Sequence, residues 1–134
     1  MTEPQKLSIL IADDAGVMRM LLRTMLQRVV HAEVTEASDG THALKLATER
    51  EFDMVFLDVN MPQMTGLSVL DALRKMPQYA LRPVVLLTSL GQNGQREKGM
   101  ALGASAYMLK PLRQMELVRV LRKLVPQALE QRDN

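Results

Sequence analysis

The stretch "DMVFLD", residues 53 to 58, is an almost unbroken apolar run that ends in a carboxylate. The run "PVVLLTS", residues 83 to 89, has the same character and ends in two hydroxyls. A strand is continuously apolar when helices cover both faces of its sheet, which is typical of parallel sheets. These two runs therefore predict buried central strands.

Three further runs have strand character, "LSILIA" at 7 to 12, "EVTEA" at 33 to 37 and "AYMLK" at 106 to 110. Stretches of helical period separate the five runs. The clearest repeats apolar residues at i, i+3, i+4 and i+7, and consists of Met18, Leu21, Leu22, Met25, Leu26 and Val29. Because strand and helix alternate and crossovers are right-handed, the predicted fold is α/β, a doubly wound five-stranded parallel sheet with helices on both faces.

Caps and chain breakers place the next helices. We expect a second helix from a cap at Ser38 or Asp39 to Glu49, a third over 66–76, and a fourth, weaker one over about 92–102.

The last helix is expected to run from Leu112 to about Gln131. Pro126 lies inside it and should kink or fray it, because proline lacks the N–H that a helix interior needs. No repeat or low-complexity segment interrupts the chain. We therefore predict one domain over residues 1–134, with its core at about 7–125.

Composition excludes several classes of function. The 134 residues contain no cysteine, which removes disulfides, thiolate metal sites and thiol catalysis and is compatible with a cytoplasmic location. A net charge of +2, with only two tyrosines and two phenylalanines, argues against direct binding of nucleic acid. No apolar run approaches the roughly 20 residues of a membrane span, so no membrane insertion is expected.

Polar residues follow the predicted strands where chemistry is expected. In a doubly wound sheet, ligands bind outside the carboxyl ends of the strands, which share one edge. The residues at these ends are Asp13 and Asp14, Asp58, Thr88 and Ser89, and Lys110 with Pro111.

Three carboxylates gathered at one edge would repel one another unless a cation joins them. Aspartate oxygens without cysteine or histidine favour a hard ion, and Mg²⁺ fits better than Ca²⁺ or Zn²⁺. A carboxylate beside Mg²⁺ can attack phosphorus and form an acyl phosphate. Lys110 and Thr88 would then supply charge and a hydrogen-bond donor to the phosphoryl oxygens.

Each of these residues also has an ordinary structural explanation. An aspartate after a strand is most often a helix cap, and Thr88 has a high strand propensity. A lysine before a proline is usually a solvated side chain. Their shared position at one edge of the sheet is what favours a site.

Four segments carry the polar strand ends: "ADD" after the first strand, "LDVNMPQMTG" after the third, "LLTS" in the fourth and "AYMLKP" at the fifth. Together these segments resemble the receiver domain of bacterial two-component response regulators. The resemblance covers residues 7 to about 125, and in length and plan the chain is similar to the single-domain chemotaxis regulators. It implies a flavodoxin-like sheet with strand order 2-1-3-4-5.

The resemblance also implies roles for individual residues. Asp58 would accept the phosphoryl group. Asp13, Asp14, Asp58 and the backbone carbonyl of Asn60 would hold Mg²⁺. Asn60 and Leu90 occupy positions that tune the loss of the phosphoryl group in this family.

Switching would follow from the same resemblance. Thr88 and Lys110 would contact the phosphoryl group, and Thr88 would move toward it while Tyr107 turns inward. The altered surface is the 4-5-5 face, made of the fourth helix, fifth strand and fifth helix, and we expect it to include Arg96, Met100, Tyr107, Arg119 and Arg122. Its mixed apolar and basic character suits an acidic or amphipathic protein partner.

The predicted function is therefore a phosphorylation-dependent signalling switch rather than an enzyme. A histidine kinase would donate the phosphoryl group, and the 4-5-5 face would bind a protein target, with chemotaxis as one setting. The chain would be a monomer or a phosphorylation-dependent dimer. An equally open variant is a receiver domain cut from a longer regulator with a DNA-binding or enzymatic output domain.

Two other classes remain as alternatives. A small aspartyl-phosphate phosphohydrolase typically has its nucleophile after the first strand and a second Asp two residues later, a spacing that "ADDAG" lacks. A nucleotide-binding module of the same fold needs a glycine-rich phosphate loop, and "DDAGVM" does not have one.

Overall fold

The computed structural model describes residues 6–89 and 94–132. Its five strands are β1 (Leu7–Ala12), β2 (Ala32–Ala37), β3 (Met54–Asp58), β4 (Val84–Ser89) and β5 (Ala106–Lys110). All pairings are parallel, and the order is β2-β1-β3-β4-β5. The predicted fold class and strand order are confirmed.

Six helices cover the sheet in the described ranges. They are α1 (Gly16–Val29), α2 (Gly40–Glu49), α3 (Gly66–Arg74), α4 (Gln95–Ala101), α5 (Gln114–Leu124) and α6 (Pro126–Arg132), with a 3₁₀ turn at Pro77–Tyr79. On one face of the sheet, Leu22 and Leu26 of α1 pack with Leu117 and Leu121 of α5. On the other face, α2 and α3 pack against β3, whose five residues are all buried.

The structure corrects some helix boundaries. The predicted last helix, 112–131, is two helices, because Val125 leaves helical geometry and Pro126 begins α6, where its missing N–H is not required. The third helix ends at Arg74 rather than 76. Asp39, not Ser38, caps α2 by accepting the His42 N–H at 2.7 Å. The predicted start of the fourth helix near 92, and Leu90, lie outside the described residues.

Strand register aligns the carboxyl ends of the central strands. Ala12 pairs with Leu57, Asp58 with Leu87, and Ser89 with Lys110. Residues that follow or end these strands therefore emerge at one edge of the sheet. In the described part of the chain, no helix is both long and apolar enough to cross a membrane.

Gly66 allows the β3–α3 loop to fold tightly beneath the strand end. Its N–H donates to Val59 O at 3.0 Å. A Cβ atom at this position would lie 2.2 Å from the backbone oxygen of Asp58. Because backbone atoms cannot move aside as a flexible side chain can, only glycine fits here.

Replacing Gly66 with alanine should therefore lower the free energy of unfolding by roughly 1–3 kcal/mol, a typical overpacking penalty. Gly16 is the matched control, since it is also the first residue of a helix, and a Cβ there meets only Arg19 Nη2 at 3.5 Å. Gly16→Ala should leave stability unchanged or raise it by up to about 1 kcal/mol. Urea unfolding measures both, and equal effects would contradict the close-contact explanation.

Candidate functional site

Three carboxylates converge beyond the ends of β1 and β3. Asp13 and Asp14 follow β1, and Asp58 is the last residue of β3. One carboxylate oxygen from each lies within 4.8 Å of the other two. Asp13 and Asp58 are buried, whereas Asp14 is exposed, so the group opens to solvent on one side. The predicted convergence of these three residues is confirmed.

Asp13 makes hydrogen bonds at three of its four polar atoms, and within the described residues its buried Oδ2 has an ion pair with Lys110 but no hydrogen bond. Its N–H donates to Ala37 O at 3.2 Å, and its carbonyl accepts from Arg19 Nη1 at 2.7 Å. Its Oδ1 accepts the Ala15 N–H at 2.9 Å, and its Oδ2 lies 2.9 Å from Lys110 Nζ. With only 1 % of Asp13 exposed, these contacts replace the water that the carboxylate has lost.

Lys110 bridges two of the carboxylates. Its Nζ lies 2.9 Å from Asp13 Oδ2 and 3.2 Å from Asp58 Oδ1. Burial alone would lower the pKa of Lys110, but the pairing with Asp13 and the charge of Asp58 raise it overall. The side chain therefore stays an ammonium, and the last residue of β5 belongs to the site as predicted.

The ionised form of Asp58 is destabilised by its surroundings. Burial, and secondarily the charge of Asp13, raise the pKa of Asp58 from 3.8 to about 6, although Lys110 opposes the shift. The nearby backbone N–H of Asn60 also works against the rise in the pKa of Asp58. Near neutral pH, Asp58 is ionised in a setting that favours any group able to reduce its charge.

Thr88 carries a buried hydroxyl with no hydrogen-bond partner among the residues that the structure describes. It stands one residue beyond Leu87, the strand partner of Asp58. An unpaired buried hydroxyl costs free energy, so the position favours an incoming oxygen that can accept a hydrogen bond from it.

The donor set fits a magnesium ion. Three carboxylates against one ammonium leave an excess of two negative charges, and all the candidate ligands are oxygens. Within the described residues no histidine or cysteine joins this group, which disfavours softer metals. Asn60 lies beside Asp58 as expected, and its carbonyl as a metal ligand stays a prediction.

A second feature lies on the predicted 4-5-5 face. A groove of about 230 Å³ is lined by Arg96 and Met100 of α4, Tyr107 of β5, and Arg119 and Lys123 of α5. The Arg96 guanidinium lies 4.4 Å from the centre of the Tyr107 ring. The sequence-based set included Arg122, which is exposed but does not line the groove, and it omitted Lys123.

Sequence reasoning also missed Arg19, which contacts the backbone of Asp13. No motif marks this residue, since it is one of several arginines off the apolar stripe of α1. Its distance of six residues from Asp13 places it on the second turn of the helix that follows the site. That position was the only available signal.

Residues 9–122 match the family model described as "Response regulator receiver domain". Among curated proteins, the chain is 40% identical over 111 residues to the sensor protein EvgS of Escherichia coli K12. The match covers 83% of this chain and 9% of EvgS, so the chain spans only a small part of that relative.

Two solved structures extend the comparison. The chemotaxis protein CheY4 of Vibrio cholerae is 32% identical, with a TM-score of 0.82, covering 90% of this chain and 100% of CheY4. The receiver domain of sensor histidine kinase PA1611 from Pseudomonas aeruginosa, solved with a magnesium ion in its active site cleft, is 26% identical with a TM-score of 0.82. That match covers 91% of this chain and 99% of the PA1611 domain.

The pKa of Asp58 predicts an unusual pH dependence of stability without metal. The pKa of Asp58 is about 6 in the folded protein and 3.8 for an ordinary aspartate, the value expected in the unfolded chain. Between pH 3.8 and about 6, the folded protein therefore holds a proton that the unfolded chain has released. The contribution of Asp58 to stability should therefore rise as pH falls from about 7 to 4. Asp58→Asn should stabilise the metal-free protein at pH 7.5 by roughly 1–3 kcal/mol, at about 1.4 kcal/mol per pKa unit, and by much less at pH 4.

Urea unfolding in EDTA at the two pH values measures this difference. Asp71→Asn is the control, because Asp71 lies on α3 and, among the described residues, pairs with the exposed Lys75 at the end of that helix. Its effect should stay below about 1 kcal/mol at either pH. An Asp58→Asn variant that is less stable than wild type at pH 7.5 would contradict the electrostatic account.

Proposed function

The chain belongs to the response regulator receiver domain family, and on that premise we propose that Asp58 accepts the phosphoryl group by which the domain switches. A receiver domain is a signalling phosphoacceptor rather than an enzyme that turns over an outside substrate. We take residues 1–134 as a single receiver domain whose phosphodonor is a histidine kinase in the cytoplasm.

The assignment of Asp58 as acceptor is supported most directly by its surroundings, which are one ammonium and two further carboxylates. Asp58 lies 3.2 Å from Lys110 Nζ and shares that cation with Asp13. A buried carboxylate with a pKa of about 6 is ionised at neutral pH yet poorly solvated, which favours bond formation to an electrophilic phosphorus. Asp58 is also slightly less buried than Asp13, whose Oδ1 accepts the Ala15 N–H and whose Oδ2 faces Lys110 at 2.9 Å, so we assign the nucleophile to Asp58.

The transfer balances as a displacement at phosphorus. An Asp58 oxygen forms a bond to phosphorus while the P–N bond of the donor phosphohistidine breaks, and the electron pair stays on the imidazole nitrogen, which takes up a proton. The product is an acyl phosphate on Asp58. Hydrolysis later adds water at phosphorus and releases inorganic phosphate and the free carboxylate.

Asp13, Asp14 and Asp58, with the carbonyl of Asn60, would hold Mg²⁺. The ion supplies positive charge against the phosphoryl oxygens when bound. The ammonium of Lys110, now between two carboxylates, would move to a phosphoryl oxygen once Asp58 carries the phosphoryl group. The unpartnered hydroxyl of Thr88 would donate to another phosphoryl oxygen. The magnesium ion in the similar PA1611 domain supports this assignment.

The movement of Thr88 provides a route to the 4-5-5 face. Thr88 pairs in the sheet with Leu109, two residues from Tyr107. If Thr88 moves toward the phosphoryl group, Tyr107 can turn inward and leave the Arg96 guanidinium that now lies on its ring. The groove would then change shape for an acidic protein target attracted by Arg96, Arg119 and Lys123.

The full-length match to a chemotaxis protein supports a stand-alone regulator of the chemotaxis type, either a monomer or a phosphorylation-dependent dimer. The partial match to EvgS supports the second candidate, a receiver module serving a longer protein. Both share the same acceptor chemistry and differ in what the 4-5-5 face binds.

Incubation with acetyl phosphate and Mg²⁺ should add the mass of one phosphoryl group to the intact wild-type protein. EDTA should prevent the gain, because the acidic group then repels the donor. Asp58→Asn should gain nothing, whereas Asp53→Asn, on the opposite edge of the sheet, should behave like wild type in this assay. A wild type that never gains mass, or an Asp58→Asn variant that does, would contradict the assignment.

If Thr88 links the acceptor to the 4-5-5 face, a Thr88 variant should be phosphorylated without the usual change in that face. Thr88→Ala should still gain the phosphoryl group, but the phosphorylation-dependent amide shifts of Arg96 and Tyr107 in ¹H–¹⁵N spectra should shrink by half or more. Thr24→Ala is the matched control, since the Thr24 hydroxyl bonds only to Met20 O on the exposed side of α1. Undiminished shifts in Thr88→Ala would exclude Thr88 as the link.

A further inference from the structure

We propose that Arg19 is a positioning residue of the magnesium site, acting on the backbone of Asp13 and anchored by Glu36. This inference rests on the proposed function, since it concerns the ion that Asp13, Asp14 and Asp58 would hold. It assigns a role to a side chain outside the acidic group.

The contacts of Arg19 join the β1–α1 loop to β2. Its Nη1 donates to Asp13 O at 2.7 Å, and its Nε donates to Glu36 Oε1 at 2.9 Å. Its own N–H donates to Ala15 O at 3.1 Å. The side chain of Arg19 is only 20% exposed, so this pair is better shielded from water than an ordinary surface ion pair. The Arg19 side chain therefore fastens the Asp13 end of the segment that carries Asp13 and Asp14, while the helical backbone bond at position 19, which any residue would make, holds the Ala15 end.

The position of this segment decides the geometry of the metal site. Asp13 and Asp14 are adjacent, and both carboxylates depend on the backbone between Asp13 and Ala15. The Ala15 N–H bonds to Asp13 Oδ1, so a shift of the Asp13 peptide would also turn its carboxylate. Magnesium demands near-ideal octahedral geometry, and small rotations of its ligands weaken binding.

Arg23 provides an internal comparison. It also pairs with Glu36, at 2.8 Å from Oε2, but its other bond is to Val34 O at 3.3 Å. It therefore shares the anchor and the helix with Arg19 without touching Asp13. A general effect of α1 docking should appear in both arginines, whereas a positioning effect should appear in Arg19 alone.

Charge and geometry make opposite predictions for Arg19. A guanidinium near the ion repels it, so loss of the charge alone would strengthen metal binding. Loss of the contact to Asp13 O would weaken it. Arg19→Lys separates the two, because it keeps the charge while a single ammonium cannot reproduce the planar fork that reaches both Asp13 O and Glu36.

The experiment measures Mn²⁺ binding by electron paramagnetic resonance, with Mg²⁺ competition, in unphosphorylated protein. We expect Arg19→Lys and Arg19→Gln each to weaken binding about ten-fold, the low end for residues that support metal ligands. Arg23→Gln should bind within about two-fold of wild type. In metal-free protein, hydrogen exchange of the Ala15 amide should speed up several-fold in both Arg19 variants and stay unchanged in Arg23→Gln.

The outcomes separate this inference from the function on which it rests. A wild type that binds no Mn²⁺ would overturn the proposed magnesium-dependent function itself. If wild type binds, then unchanged or tighter binding in Arg19→Gln, unchanged Ala15 exchange, or equal weakening in Arg23→Gln would overturn the role of Arg19 alone. Should the Arg19 variants fail to fold, Glu36→Gln tests the same contact through its anchor, and it should weaken Mn²⁺ binding to an intermediate degree.

Discussion

The crowding of three carboxylates around one ammonium is the constraint on which the rest of this domain depends. Lys110 lies within 3.2 Å of Asp58 and within 2.9 Å of Asp13, yet one positive charge cannot balance the whole acidic group. The cost appears in the raised pKa of Asp58, which burial and Asp13 together impose. A structure with this imbalance gains stability from any added positive charge. If the acidic group holds Mg²⁺ and Asp58 accepts a phosphoryl group, as proposed, both events would draw on this gain.

The buried parallel sheet holds the three carboxylates close together despite their repulsion. Apolar β3 is buried on both faces, so the strand that ends in Asp58 cannot shift to relieve the repulsion. Gly66 brings the next helix directly beneath the backbone oxygen of Asp58 and fixes the strand end from below. The core therefore holds the carboxylates in a geometry that is unfavourable in the absence of a cation, and the stability of the surrounding layers offsets that strain.

The sequence predicted the parallel sheet and the convergence of Asp13, Asp14 and Asp58 because both depend on local pattern, whereas the strand order came from the family resemblance. Buried strands are continuously apolar, and parallel topology brings their polar ends to one edge. It could not predict Arg19 or Lys123, because their contacts depend on how far a long side chain reaches in three dimensions. The break at Pro126 was predicted as a kink or fraying of one helix, since the sequence does not decide whether a new helix begins at the proline. The left-handed backbone conformation of Gln63, with φ of 70°, could not be predicted either, because residue propensities do not favour it for glutamine.

In the proposed switch, communication from the acidic edge to the 4-5-5 face would occur through side chains, because the start of β5 is fastened by Arg74. Arg74 donates to Gly103 O at 2.9 Å and to Ser105 Oγ at 3.1 Å, and also bonds to the carbonyls of Tyr79 and Arg82. A strand pinned in this way just before Tyr107 would not slide if Lys110 changed partner at its other end. In the proposed switch the response would then be confined to rotamers along β4 and β5. Tyr107 is suited to such a change, since it is half-buried under the Arg96 guanidinium and could exchange that cation for the space that Thr88 would leave.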